Sequence, residues 1–191
     1  EMKEELRILK GRIVFRGDVM KDQNGALGVF QNLNASPTSV QALNPTLAHG
    51  SLPGHVTTTA DAIKAYVQSL LKAKHKTWVS LPPELWPKEW EKQYKKLVAL
   101  LIKSPYGHPE SGGHWERHLN EILQKEMGME KVAEFPSLFF CPRTRLLLAV
   151  YVDDFTLSGP LGAHEAFWEK LSKHVDLEPP EDLGRVLGRQ H

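Results

Sequence analysis

The stretch LLLAVYVDDFTLSG, residues 146–159, decides how this chain is read. Two apolar runs suited to the inside of a sheet flank a pair of adjacent aspartates, Asp153 and Asp154. The pattern reads as strand, tight turn at the aspartates, strand. Two like charges side by side at a sheet turn repel each other and lose hydration, so they are most easily retained where a cation neutralises them. Hard divalent ions that prefer oxygen ligands, Mg²⁺ first, suit such a pair. Acidic turns are common, and only a third carboxylate in a matching place would make the pair a metal site.

Working outward, SLFFCPRTR before the stretch reads as a strand and a turn at 142–145, HEAFWEKLSKHV (164–175) as a helix, and GRVLGRQH as a closing strand. Upstream, TTTADAIKAYVQSLL (57–71) opens on β-branched threonines and continues with Ile63, Tyr66, Val67, Leu70 and Leu71 at helical spacing. Asp61 therefore falls where a strand hands over to a helix. If that strand lies beside the hairpin, its carboxylate comes within metal-bridging reach of Asp153. Two such carboxylates hold two ions roughly 4 Å apart, the arrangement in-line phosphoryl transfer uses.

Between these blocks, 76–87 reads as a strand ending in a proline-rich turn and 88–104 as an amphipathic or partly extended segment with a basic centre. A glycine- and proline-rich turn then leads into a helix over 114–126 with Trp115, Leu119 and Ile122 on one face. At the start, 6–20 alternates apolar and basic residues as a half-exposed hairpin carrying Lys10, Arg12 and Arg16, and 21–56 reads as loop with room for one short helix. From Thr57 the order is βαββαβ with an insertion: an α+β fold, a split βαβ sheet with helices on one face.

Composition narrows the function classes. At 191 residues with 41% hydrophobic content, the chain suits one sizeable domain or two lobes sharing a core. Twenty-four basic against 23 acidic residues leave any contact with a polyanion to local clustering. A lone Cys141 fits a reducing, intracellular compartment and no zinc module is spelled out. No apolar run reaches the roughly 20 residues of a membrane span, the start lacks a signal peptide, and an opening Glu1 suggests a piece of something longer.

With these residues in order, the chain resembles the reverse transcriptase of copia-type long-terminal-repeat retrotransposons. YVDD (151–154) sits in an apolar hairpin, and ADAIKAYVQSLL is similar to that family's Asp-x-x-x-Ala-Phe/Tyr-Leu element. KGRIVFRG (10–17), KTWVSLPPELWP, KSPYGHPESGGHWERHL and EDLGRVLGRQH are similar to further family elements, in the family's order. The resemblance implies a right-hand polymerase palm with a ferredoxin-like βαββαβ core and a partial fingers subdomain. Residues 1–56 would be fingers-like and 57–191 palm, with a fingers insertion at about 72–112. Thumb, ribonuclease H and integrase portions would lie outside the chain.

The resemblance also implies roles. Asp61, Asp153 and Asp154 would be catalytic and bind two Mg²⁺ ions, or Mn²⁺, with the backbone of Ala62 beside the second ion. Tyr66 would lie under the incoming sugar and disfavour a 2′-hydroxyl. Lys10, Arg12 and Arg16 would hold the triphosphate by charge-assisted bonds. Partners would be an RNA or DNA template with its primer, a deoxynucleoside triphosphate and the rest of a Pol polyprotein, in the cytoplasm, within a virus-like particle, or in the nucleus, with no membrane involved. Where the family has Gln-Ser/Ala-Pro-Arg, this chain has Glu110, Ser111, Gly112 and Gly113, which weakens the transfer of nucleotide contacts to Glu110 and Gly112. That departure motivates a rival, a catalytically degenerate palm that binds nucleic acid or protein. A second rival is an unrelated metal-dependent phosphotransferase or hydrolase. His114 and His118 read as surface or partly buried histidines rather than metal ligands. Phe139, Phe140 and Trp168 read as core, and Trp86 and Trp90, despite nearby lysines, as packing.

Overall fold

The computed structural model describes residues 13–22, 24–28, 30, 40–73, 75–90, 92–183, 185–186 and 189–190. Its elements run α1 (Val40–Gly50), β1 (His55–Asp61), α2 (Ala65–Gln68), β2 (Trp78–Ser80), β3 (Val98–Leu100), α3 (Ser111–Glu121), β4 (Glu130–Lys131), β5 (Leu138–Cys141), β6 (Leu146–Tyr151), β7 (Asp154–Pro160), α4 (His164–Leu171) and β8 (Glu181–Asp182). Two short strands, β9 (Arg185–Val186) and β10 (Arg189–Gln190), close the described chain.

The main sheet has the order β4-β5-β6-β7-β1-β8, with every neighbouring pair antiparallel. Strand alternation gives its two faces different work. Ala60, Phe155, Leu157, Leu148 and Val150 point to one face and form the main core with Trp115 and Leu119 of α3 and Phe167, Trp168 and Leu171 of α4. Each large apolar side chain so buried contributes about 1.5–3 kcal/mol. A π-helical turn at Ile122–Glu126 extends α3 and keeps Ile122 and Leu123 in that core. On the other face Leu43 of α1 packs with Leu138 and Ala149.

Several elements differ from the sequence reading. The helix expected between Asp61 and Leu71 shrinks to α2, because Lys64 adopts a left-handed conformation (φ 52°) and Ile63 and Leu70 stay exposed, leaving no continuous apolar face to bury. The chain beyond α2 instead extends, with the Leu71 N–H donating to the Ile102 carbonyl at 2.8 Å and the Ser104 N–H to the Ser69 carbonyl at 3.1 Å. The expected hairpin over 6–20 is not formed in its described half: residues 13–16 are irregular and Gly17–Val19 make a 3₁₀ turn. Phe15 there pairs with the 105–109 turn, its N–H 2.7 Å from the Tyr106 carbonyl. Lys10 and Arg12 lie outside the described residues. The closing strand at 184–191 is replaced by β8, which pairs with Thr58 and Thr59, while β9 and β10 pair with each other. Within 21–56, α1 forms despite Pro45, and the Thr46 hydroxyl donates back to the Ala42 carbonyl at 3.3 Å.

Candidate active site at the 151–154 turn

β6 and β7 are joined by a two-residue turn, Val152 and Asp153, which leaves Tyr151 opposite Asp154. On the other side of β7, Asp154 is opposite Asp61, the last residue of β1. Residues directly opposite in an antiparallel pair project to the same face. Tyr151, Asp154 and Asp61 thus form one row across three strands, on the sheet face that α1 covers further along through Ala149 and Ser158. The Asp153 carbonyl accepts the Ala62 N–H at 2.7 Å, so the backbone of the turn is tied to the residue after Asp61.

The outer edge of β1 is clamped as well. The Glu178 N–H donates to the Asp61 carbonyl at 2.8 Å, and the Ile63 N–H to the Asp176 carbonyl at 2.9 Å. Gln68 bridges the two segments: its Nε2 donates to the carbonyls of Ile63 and Asp176, and its Oε1 accepts the Asp176 N–H at 2.9 Å. The carboxylate row is therefore mounted on backbone held from both sides.

Val152 has φ 57°, a left-handed conformation that a β-branched residue adopts only under strain. Positive φ at the first central position is what a type II′ hairpin turn demands, and glycine usually supplies it. The strain is held by Trp115, whose buried indole N–H donates to the Val152 carbonyl at 2.7 Å. A small, mostly apolar cleft lies behind the turn, lined by Tyr66, Gly112, Trp115, Phe139, Val150 and Val152.

Electrostatics single out Asp154. Its carboxyl is pushed up to about 6, first by burial and then by the charges of Asp153 and Asp61, and none of its influences acts the other way. The Tyr66 hydroxyl is also raised, by burial and next by Asp153, which places Tyr66 within the field of the same group. Its ring lies 5.1 Å from that of Tyr106, on the turn that receives Phe15.

The fold thus brings Asp61, Ala62, Asp153, Asp154, Tyr66 and Gly112 to one end of the sheet. Glu110 is buried just before α3, its N–H donating to His108 Nδ1 at 3.2 Å, and its charge acts on His108 and His114. Arg16 stands apart: it is exposed and bonded to Asp18 at 3.0 Å, a contact that raises the guanidinium pKa. His114 and His118 are each lowered chiefly by burial. Among the described residues no three His, Cys, Asp or Glu side chains close on a single point as a ready metal cage. The carboxylates still fit Mg²⁺, which is bound through one or two carboxylates plus substrate phosphates and retains waters. The Asp154 carboxyl is raised first by burial and then by Asp153 and Asp61, so its ionised form is one that a nearby cation would stabilise. Sequence reasoning misses Gln68 and the pinning role of Trp115; only the Trp in HWERHL, on one apolar helix face with Leu119 and Ile122, gives any signal for the latter.

No protein-family model matches the chain. It is 27% identical over 170 residues, 88% of its length, to the Transposon Ty1-LR3 and Ty1-PR1 Gag-Pol polyproteins of Saccharomyces cerevisiae, covering 9% of each. It is equally similar to the Truncated transposon Ty1-A Gag-Pol polyprotein of the same organism, of which it covers 13%. The chain spans about a tenth of the length of these curated relatives. Most of it is similar to one region of a retrotransposon Gag-Pol polyprotein.

Proposed function

We propose that this chain is the palm and part of the fingers of a copia-like reverse transcriptase, an RNA-directed DNA polymerase that transfers nucleotides from a deoxynucleoside triphosphate to a primer 3′-hydroxyl. The observation that carries the reading is the register Asp61↔Asp154, with Asp153 in the adjoining turn: three carboxylates from two distant segments at one sheet end. The crossovers support it, since β1, α3, β6, β7, α4 and β8 follow a βαββαβ course with strand order β6-β7-β1-β8, and the two crossover helices α3 and α4 share one core. Similarity to a retrotransposon polyprotein supplies the biological setting.

In this reading Asp61, Asp153 and Asp154 would hold Mg²⁺, with the substrate's phosphates completing its oxygen ligands. The metal, when bound, lowers the pKa of the attacking hydroxyl and neutralises charge on the α-phosphate and leaving pyrophosphate. Tyr66 stands behind the turn as the group whose bulk crowds a 2′-hydroxyl, and Gly112 lines the same cleft. Trp115 and Gln68 position, keeping Val152 and β1 in place. The chain's own contribution is chiefly to orient and to concentrate negative charge.

Primer extension on an oligo(dT)-primed poly(rA) template with Mg²⁺ or Mn²⁺ tests the reading: metal-dependent incorporation by the wild type, lost in Asp153→Asn, is expected. Absence of incorporation under both metals sinks it and favours the second reading, a catalytically degenerate palm that binds nucleic acid or protein. The buried Glu110, a carboxylate where the resembling family carries an amide, is the observation on that side.

A further inference from the structure

The carboxylate site does not use the exposed aromatic residues and lysines between β2 and β3. Four aromatic residues are exposed among those described: Tyr151 in the catalytic turn, and Trp78, Trp90 and Tyr94, all on the small β2–β3 subdomain. Trp90 and Tyr94 meet edge to face with ring centroids 6.2 Å apart, on a run of turns in which the Tyr94 N–H donates to the Trp90 carbonyl at 3.0 Å. Lys88, Lys92, Lys95 and Lys96 surround them in sequence and are exposed, and none forms an ion pair with a described residue. Trp86, by contrast, is partly buried and its indole donates to the Leu81 carbonyl at 2.9 Å, which is packing. The expectation that both tryptophans pack therefore holds for Trp86 and fails for Trp90.

Large aromatic faces left in water beside such lysines carry a cost that a flat, polyanionic partner would recover. We propose that Trp90 and Tyr94, flanked by Lys88, Lys92, Lys95 and Lys96, form a docking platform for single-stranded polynucleotide, the rings stacking on bases and the lysines meeting phosphates. The choice of polynucleotide over another polyanion rests on the template-directed reading above; the binding itself does not depend on catalysis.

The test is fluorescence anisotropy of a fluorescein-labelled oligo(rU) 12-mer titrated with the chain, without nucleotide or divalent metal. W90A/Y94A is expected to weaken binding about tenfold or more, as loss of base stacking does, with its salt dependence kept. W90F/Y94F is expected to stay near wild type, which separates stacking from misfolding. K88Q/K92Q/K95Q/K96Q is expected to flatten the dependence of log K on log salt by about 0.7 for each phosphate that is no longer neutralised. Alanine variants that bind like the wild type would reduce the patch to bare charge and overturn the proposal. So would the absence of oligo(rU) binding, or sedimentation showing a dimer that W90A/Y94A dissolves, which would make the patch a self-interface. A failed primer extension assay with intact oligo(rU) binding would overturn the polymerase reading alone.

Discussion

Strands β1 and β7 carry opposite chemistries along their length. Toward the His55 end, polar groups are satisfied by one another: Trp168 Nε1 donates to Thr58 Oγ1 at 2.9 Å, Thr58 Oγ1 lies 2.8 Å from His164 Nδ1, and His164 Nε2 lies 3.2 Å from the Gly159 carbonyl. A carbonyl can only accept, so Nε2 carries the proton and Nδ1 accepts from the threonine hydroxyl. At the other end, about 20 Å from His55 at a strand's rise per residue, Asp61 and Asp154 face each other and the Asp154 carboxyl is pushed up to about 6. One end of the sheet uses its polar groups for stability; the other keeps charge that folding alone would discard.

The largest break in this comparison is expected from Asp153→Asn. It removes charge at nearly constant shape and keeps the carbonyl that accepts the Ala62 N–H. Incorporation should fall by about three orders of magnitude or more, the several kcal/mol of charge stabilisation that metal catalysis supplies. The thermal midpoint should hold or rise, because one of the charges that burden Asp154 is gone. Steady-state primer extension alongside a circular dichroism melt reads both.

Thr58→Val attacks the other end. It strands the Trp168 indole N–H and the His164 Nδ1, both in buried residues, and should cost about 2 kcal/mol of stability. Incorporation per folded molecule should be unchanged, as nothing at the 151–154 turn is touched. A urea titration and an activity assay below the midpoint separate the two effects, and a selective loss of activity would show the ends to be coupled.

Much of this division is legible in the sequence. The apolar runs on either side of the two aspartates and the strand-to-helix handover at Asp61 suffice to bring three carboxylates together. The register is not legible: the sequence pattern sets Asp61 beside Asp153, whereas pairing sets it opposite Asp154 and gives Asp153's carbonyl to Ala62. The Thr58, His164 and Trp168 network joins residues more than a hundred positions apart, and no local spacing announces it. The overlong helix expected after Asp61 arises because helical spacing records which residues are apolar and not whether a face exists to bury them; Ile63 and Leu70 remain in water. α1 reads only as room for a short helix within a loop because Asn44 and Pro45 interrupt its pattern.

Asp154→Asn sharpens the contrast through pH. The folded carboxyl titrates near 6 against an ordinary 3.8, so the native state carries an electrostatic penalty that is complete above pH 6 and gone below about 4. The substitution should stabilise the metal-free fold at pH 7 by about 1 kcal/mol, a figure discounted because the group is half exposed to solvent. The histidines run the other way. His49 and His164 are lowered, chiefly by burial, so they bind fewer protons folded than unfolded. Their contribution is intact above about 6.5 and is lost as pH falls below it. Melts between pH 4 and 8 should therefore show the wild type losing less stability on acidification than Asp154→Asn, whose curve lacks the opposing carboxyl. Parallel curves would mean that Asp154 is not strained by its neighbours.

Val152→Gly should have the smallest effect on stability and still be informative. Relief of the left-handed strain at φ 57° is worth about 1–3 kcal/mol, while glycine's added unfolded-state entropy costs about 0.5–1 kcal/mol. The valine side chain also leaves its place in the cleft beside Tyr66 and Trp115, which offsets much of the remainder. The thermal midpoint should rise slightly or stay where it is. Incorporation should fall, because a turn that glycine makes comfortable no longer needs Trp115 to hold it and presents Asp153 less rigidly to the row formed by Asp61 and Asp154. Faster amide hydrogen exchange at Ala62, whose N–H rests on the Asp153 carbonyl, would report that loosening directly. Unchanged exchange with reduced incorporation would place the valine's role in shaping the cleft, and unchanged values of both would mean that the strain at Val152 serves neither end of the sheet.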